Sequence, residues 1–265
     1  MFGGDFTGKL VTQSGEKISH KEGKLLVEAG KLALDANNMG YCQHCKAMVE
    51  WKAAGVTGLS TKNDGQHHHL YMTANFDQTW GYLTLTTNTK LCLHLNGFNI
   101  QQKGRIFVSG AELNLMGKGT VASTVAHTNA TYNTGAITVN NATVNIYGGT
   151  YESPLADIPA IRTQNAASRV NLLGGKVTGS AVIGKGILTL GGKAIAEDLQ
   201  VEAEGKLNVR ADWAGTAKAT FAVALAEGKV PAANGASEGV FSGTLTIGTT
   251  KLIGKDGLLE EETAQ

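Results

Sequence analysis

The sequence predicts an all-β fold built as a parallel β-solenoid, and three observations carry the prediction. Glycine fills 35 of 265 positions and proline only 3, a composition of many tight turns and few stiff linkers. Six apolar-x-apolar triplets recur: Leu93-His94-Leu95, Leu113-Asn114-Leu115, Val144-Asn145-Ile146, Val170-Asn171-Leu172, Leu188-Thr189-Leu190 and Leu207-Asn208-Val209. Their spacings are 20, 31, 26, 18 and 19 residues. Glycine follows nearly every triplet, at Gly97, Gly117, Gly148-Gly149, Gly174-Gly175 and Gly191-Gly192. Period-two alternation is the mark of a strand with one buried face. A repeat of about 18–20 residues, holding two or three short strands and glycine turns, fits one coil of a parallel β-helix.

The elements follow in chain order. Residues 1–35 read as strands forming the tail of a preceding module. Their run Phe6-Thr7-Gly8-Lys9-Leu10-Val11-Thr12, followed by Glu22-Gly23-Lys24-Leu25-Leu26, resembles Phe241-Ser242-Gly243-Thr244-Leu245-Thr246-Ile247, followed by Asp256-Gly257-Leu258-Leu259, with an offset of 235 residues from Phe6 to Phe241. Such recurrence points to a tandem array, with a signal and an anchor outside this chain. Residues 36–83 read as an irregular cap holding Cys42-Gln43-His44-Cys45, with Trp51 and Trp80 plugging the N-terminal end of the solenoid. Residues 84–211 are the β-helix. A second short strand precedes most triplets, as in Ile106-Phe107-Val108, Ile137-Thr138-Val139 and Ala160-Ile161-Arg162. The two long spacings need bulging loops, which residues 124–135 and 153–159 supply. Residues 212–265 read as a small β subdomain covering the open C-terminal end, where strand edges and core would otherwise be exposed.

Stacking in register should place Leu93, Leu113, Val144, Val170, Leu188 and Leu207 in one inward column. The asparagines between the apolar positions, Asn114, Asn145, Asn171 and Asn208, then point outward and form a solvent-side amide ladder.

Composition excludes several function classes. A formal net charge of +1 lacks the basic surplus of a nucleic-acid or anionic-membrane binder. No apolar run is long enough to span a bilayer as a helix. Carbohydrate-cleaving β-helix enzymes use clustered carboxylates. Between Leu91 and Ile195 the acidic residues are only Glu112, Glu152 and Asp157, and Arg162 and Arg169 have no evident acidic partners. No catalytic or organic-cofactor residue is therefore assigned. Tyr132, Tyr147 and Tyr151 fall near the long loops, where a carbohydrate platform would form.

The cysteines carry the sharpest chemistry. Cys42 and Cys45 have the Cys-x-x-Cys spacing that places two thiolates on one tetrahedral zinc. Cys92 and His94 share the outward face of one strand, about 6–7 Å apart at the backbone, within reach of one ion. The predicted metal set is Cys42, Cys45, Cys92 and His94, holding one structural zinc that staples the cap to the first coil. His44 or one of His67, His68 and His69 is the alternative fourth ligand. A Cys42–Cys45 disulfide, or reduced thiols with Cys92 unpaired, is the competing reading.

The same residues carry a resemblance. Cys42-Gln43-His44-Cys45, Val49-Glu50-Trp51, His69-Leu70-Tyr71 and the run Cys92-Leu93-His94-Leu95-Asn96-Gly97-Phe98-Asn99-Ile100 resemble a module of large clostridial and related Firmicute cell-surface proteins. So do Gly104-Arg105-Ile106-Phe107, Leu113-Asn114-Leu115-Met116-Gly117 and Val144-Asn145-Ile146-Tyr147-Gly148-Gly149-Thr150-Tyr151. Those proteins are similar to the pectate-lyase-like right-handed β-helix superfamily. The resemblance covers residues 40–260 and implies a fold and an extracellular or cell-surface setting, not a reaction. The expected function is a non-catalytic structural or adhesive module, monomeric, one of a tandem array. Its partners would be neighbouring copies in the same chain and a surface glycan or protein. The alternative is a carbohydrate-binding or carbohydrate-active (lyase-like or hydrolase-like) β-helix module.

If the first residues belong to a preceding copy, they share little interface with the solenoid. Deleting residues 1–30 should then leave the thermal unfolding of the solenoid largely unchanged. A large fall in melting temperature, followed by circular dichroism, would show instead that the segment belongs to the first coils.

Overall fold

The computed structural model describes residues 16–21, 24–54, 62–78, 83–103, 105–126, 134–155, 157–222, 243–247, 250–255 and 258–261. Among them there is no helix, and so none that could cross a membrane. The chain winds a parallel β-solenoid of about seven turns. Each turn lays one strand on each of three faces, and each strand pairs in parallel with its counterpart one turn on. Later turns run strand into strand, so that Lys176–Leu190 and Ile195–Val209 each sweep all three faces.

The first face positions the site. It stacks His67–Tyr71, Lys90–His94, Glu112–Met116, Thr143–Ile146 and then residues 169–172, 187–190 and 206–209. Two inward columns result. One runs Leu91, Leu113, Val144, Val170, Leu188, Leu207; the other runs Leu70, Leu93, Leu115, Ile146, Leu172, Leu190, Val209. All are buried. Leu113 therefore sits over Leu91, not over the expected Leu93. The run Leu91-Cys92-Leu93-His94-Leu95 alternates over five residues, so period-two parity alone does not separate frames two residues apart.

This frame puts Cys92 in the column of the asparagines. Asn171 donates to Asn145 Oδ1 at 2.7 Å, Asn145 to Asn114 Oδ1 at 2.7 Å, and Asn114 to Cys92 Sγ at 3.5 Å. The ladder faces outward from the core but not to solvent: Asn114 and Asn145 are buried. The cap covers them. Its hairpin, Met39–Cys42 with Ala47–Glu50, belongs to a second apolar cluster of Leu32, Cys42, Trp51, Cys92 and Met116, with Tyr71 and Tyr147 against it. Trp51 lies in this seam, its indole N–H donating to the Gly40 carbonyl, rather than across the open end of the solenoid. Trp80 lies outside the described residues, as do the Phe6 and Phe241 repeats' leading residues and Tyr132.

The solenoid is longer than the sequence suggests. It already includes His67–Tyr71, Phe76–Gln78 and Leu83–Leu85, and parallel pairing continues past residue 211 through Thr216–Phe221 and Thr244–Ile247. Thr250–Lys255 and Leu258–Glu261 then turn antiparallel. Trp213 is buried within this last stretch of the core and bonds the Ala194 carbonyl through its indole N–H. At the other end, Glu16–Lys21 and Lys24–Leu32 form their own antiparallel pair. That pair is tied on at Asn96, which accepts from Lys31 Nζ and the Leu32 amide and donates to the Met72 carbonyl.

Asn145 both donates and accepts within the buried ladder, so truncating it strands a partner above and below. Leaving a buried amide group unpaired costs about 1–3 kcal/mol. Asn145→Ala should lower the unfolding free energy by about that much in denaturant titrations. A change smaller than about 0.5 kcal/mol would mean that the ladder is energetically idle.

Candidate metal centre

Three chain segments meet at the seam between cap and solenoid. The turn of the cap hairpin delivers Cys42 and Cys45, closed by Lys46 at a positive φ of 53°. The first solenoid turn delivers His69, and the second delivers Cys92, which pairs with His69 in register. The ligand atoms of Cys42, Cys45, His69 and Cys92 all lie within 4.8 Å of one another. Four donors about 2.0–2.3 Å from one tetrahedral ion stand about 3.5–3.8 Å apart, so the set fits one such ion. The three cysteines are free thiols.

The electrostatics of the cluster already favour bound charge. Cys45 N–H donates to Cys42 Sγ at 3.4 Å, and Cys45 Sγ lies 3.3 Å from His69 Nε2. The Cys42 thiol is held down to about 4, chiefly by the hydrogen bond from Cys92, with burial opposing and His69 assisting. Cys92 is pushed up, first by that same bond to Cys42 and then by burial. Cys45 is pushed up to about 11 by burial and by the Cys42 charge. One buried thiolate is thus shared between two thiols, a charge that a cation would neutralise.

The sequence-predicted residues divide as follows. Cys42, Cys45 and Cys92 come together. His94 does not join them: it pairs with Tyr71 and Met116, and its Nδ1 accepts the Asn96 amide at 3.1 Å. Its ring lies under Gly117, where a Cβ would stand 2.4 Å from His94 Cε1. His69 takes the fourth place because a parallel ladder sets the same position of adjacent turns side by side, about 4.8 Å apart. The position two along its own strand is farther off. His68 turns to Asp64, 2.8 Å away. His44, in the cap turn, reaches Glu112 Oε1 at 2.9 Å and Tyr147 Oη at 2.9 Å.

The carbohydrate-facing candidates are placed differently from the expectation. Tyr151 is buried in the core, its hydroxyl donating to the Gly148 carbonyl, and Tyr147 packs into the cap seam. Neither makes an exposed platform. Arg162 pairs with Glu202 at 2.9 Å across two turns, and Arg169 donates to the Ala166 and Ser168 carbonyls. Glu112 is the residue the sequence reading passed over. It lies on the turn above Cys92, with Asn114 donating to it at 3.1 Å. The signal available for it was its place two residues before an asparagine of the ladder.

No protein-family model, curated protein or solved structure matches the chain.

The thiol shifts set a pH dependence for the metal-free protein. Cys42 has a folded value near 4 against an ordinary 9.0, so its contribution is complete above 9 and is lost as pH falls toward 4. Cys92 and Cys45 are raised, so theirs is complete below 9 and is lost as pH climbs past it. In the presence of chelator, the stability difference between the wild type and Cys42→Ser should widen from about pH 4 to pH 9 and narrow above. Melting temperatures across that range check it; a difference flat or shrinking from 4 to 9 would contradict the shared thiolate.

Proposed function

We propose that this chain is a non-catalytic structural or adhesive module of a bacterial cell-surface protein, a β-solenoid whose N-terminal cap is stapled by one structural zinc ion. The observation that carries the reading is the seam cluster of Cys42, Cys45, His69 and Cys92. Three thiols and one imidazole are a zinc-type donor set, and four protein donors close the coordination shell. Closed shells belong to structural sites, whereas catalytic zinc keeps a position for water or substrate. The donors come from the cap and from two successive solenoid turns, so the ion's binding energy would hold the cap on the amide ladder. The resemblance to clostridial and related Firmicute surface modules, with their pectate-lyase-like β-helices, supports the extracellular setting. The solenoid suits a stalk, since each turn is braced by the next. Neighbouring copies of the module would adjoin it in the parent chain, and an adhesive role would present its faces to a surface glycan or protein.

Protein purified without chelator should carry a zinc ion at the cysteine cluster. Cys42→Ser should abolish it and lower the melting temperature to that of the chelator-treated wild type. A zinc content and a melting temperature both unchanged in Cys42→Ser would sink the staple. A glycan array and a reducing-sugar release assay test the rest: sugar release from any polysaccharide would replace the structural reading with the carbohydrate-active one.

A further inference from the structure

We propose a second, open metal site beside the thiolate cluster, formed by His44, His67 and Glu112 and taking a divalent first-row transition-metal ion. The ligand atoms of these three residues lie within 4.8 Å of one another. They reach the same point from three separate segments. His44 comes from the cap turn, between the two cysteines of Cys42-Gln43-His44-Cys45. His67 comes from the first solenoid turn, on the same outward parity as His69. Glu112 comes from the third turn, directly above Lys90, which in turn lies above His67.

Both imidazoles converge on one carboxylate oxygen. His44 Nε2 lies 2.9 Å from Glu112 Oε1 and His67 Nε2 lies 3.6 Å from it. An ion pair between His44 and Glu112 accounts for the first distance. It leaves the second unexplained, because His67 Nε2 is shielded from solvent and makes no hydrogen bond among the described residues. A nitrogen shielded from water, with a carboxylate oxygen near but beyond hydrogen-bond reach, is costly unless something fills its lone pair. A cation between the two imidazoles and the carboxylate does so.

The surroundings are those of a metal's outer shell. His44 Nδ1 is 2.9 Å from Tyr147 Oη; with the Nδ1 proton given to the hydroxyl, Nε2 presents its lone pair. Asn114 donates to Glu112 Oε1 and so orients the carboxylate, while the same amide reaches Cys92 Sγ. Two neutral imidazoles and one carboxylate leave coordination positions open, the arrangement of accessible rather than closed sites. A cleft of about 560 Å³ lined by Val49, Glu50, Lys52, Lys62 and His67 to Leu70 leads to His67. Charge also balances. Three thiolates with a divalent ion carry net −1, and one carboxylate with a divalent ion carries net +1, so adjacent occupied sites attract rather than repel.

Cobalt titration of the full chain distinguishes the two sites, because only a thiolate-bound ion gives sulfur-to-cobalt charge-transfer absorption. The wild type should bind about two Co²⁺ per chain by equilibrium dialysis, one of them with the charge-transfer band. His67→Ala and Glu112→Gln should each bind about one, with the band intact. Tyr147→Phe should weaken the ion without the band by about 10- to 100-fold, as loss of an orienting partner does. One Co²⁺ in the wild type, carrying the band, would overturn the second site, as would a second ion retained in full affinity by His67→Ala. Binding without any charge-transfer band, lost in His67→Ala, would uphold this site while removing the thiolate staple.

Discussion

Every turn of this solenoid takes its backbone hydrogen bonds from the turns on either side, in parallel and in register. A side chain's neighbours are therefore fixed by its position in the turn, not by its distance along the chain. Slipping one strand by a residue would send Leu113 and Leu115 outward and bring Asn114 into the core. That penalty recurs at Val144, Val170, Leu188 and Leu207, so each turn confirms the frame of the next. The candidate metal centre inherits this constraint. His69 and Cys92 are 23 positions apart in sequence and adjacent in space only because they occupy one column.

The column also explains why polar groups are buried on the outside of the sheet. His69, Cys92, Asn114, Asn145 and Asn171 are successive members of one outward file. Stacked amides satisfy one another at 2.7 Å, so the cap can seal them from water without leaving them unpaired. The file changes chemistry where it meets the cap, from amide to thiol to imidazole. Cys42 and Cys45 supply the opposing half of that cluster. The cap thus covers a polar stripe by matching it, whereas Leu32, Trp51 and Met116 supply the apolar part of the same seam.

Much of the fold was legible in the sequence because period-two alternation and glycine spacing are local signals. The six triplets marked the first face, and the four asparagines marked its outward file. What escaped was frame and extent. A five-residue alternating run around Cys92 has no internal mark of which pair of leucines belongs to the repeat. His94 is the ligand that a shared strand face suggests, whereas His69 becomes Cys92's neighbour only when the turns stack in register. Tyr151 reads like a loop aromatic beside Gly148-Gly149, yet it occupies the inward position next to Val121 and Val177. Burial of the asparagine ladder was also illegible. It depends on the docking of residues 39–50 onto a face that looks solvent-facing by pattern alone. Cys42 and Cys45 were legible because Cys-x-x-Cys is a contiguous motif, and Cys92 by its residue type; the meeting of Glu112 with His67 was not, since it arises only through the stacking of turns.

The cap's reach has a mechanical consequence. Through Cys42, Cys45 and His44 it touches His69, Cys92, Glu112 and Tyr147, which stand on four successive turns. A solenoid pulled from an unprotected end peels, one strand at a time, each rupture needing only the few bonds of that strand. Tension arriving through the cap is instead divided among four turns that must yield together. With an ion at the seam, the first rupture would be the loss of several metal–ligand bonds at once. The cap thus trades a strand-by-strand failure for one that must break four turns together.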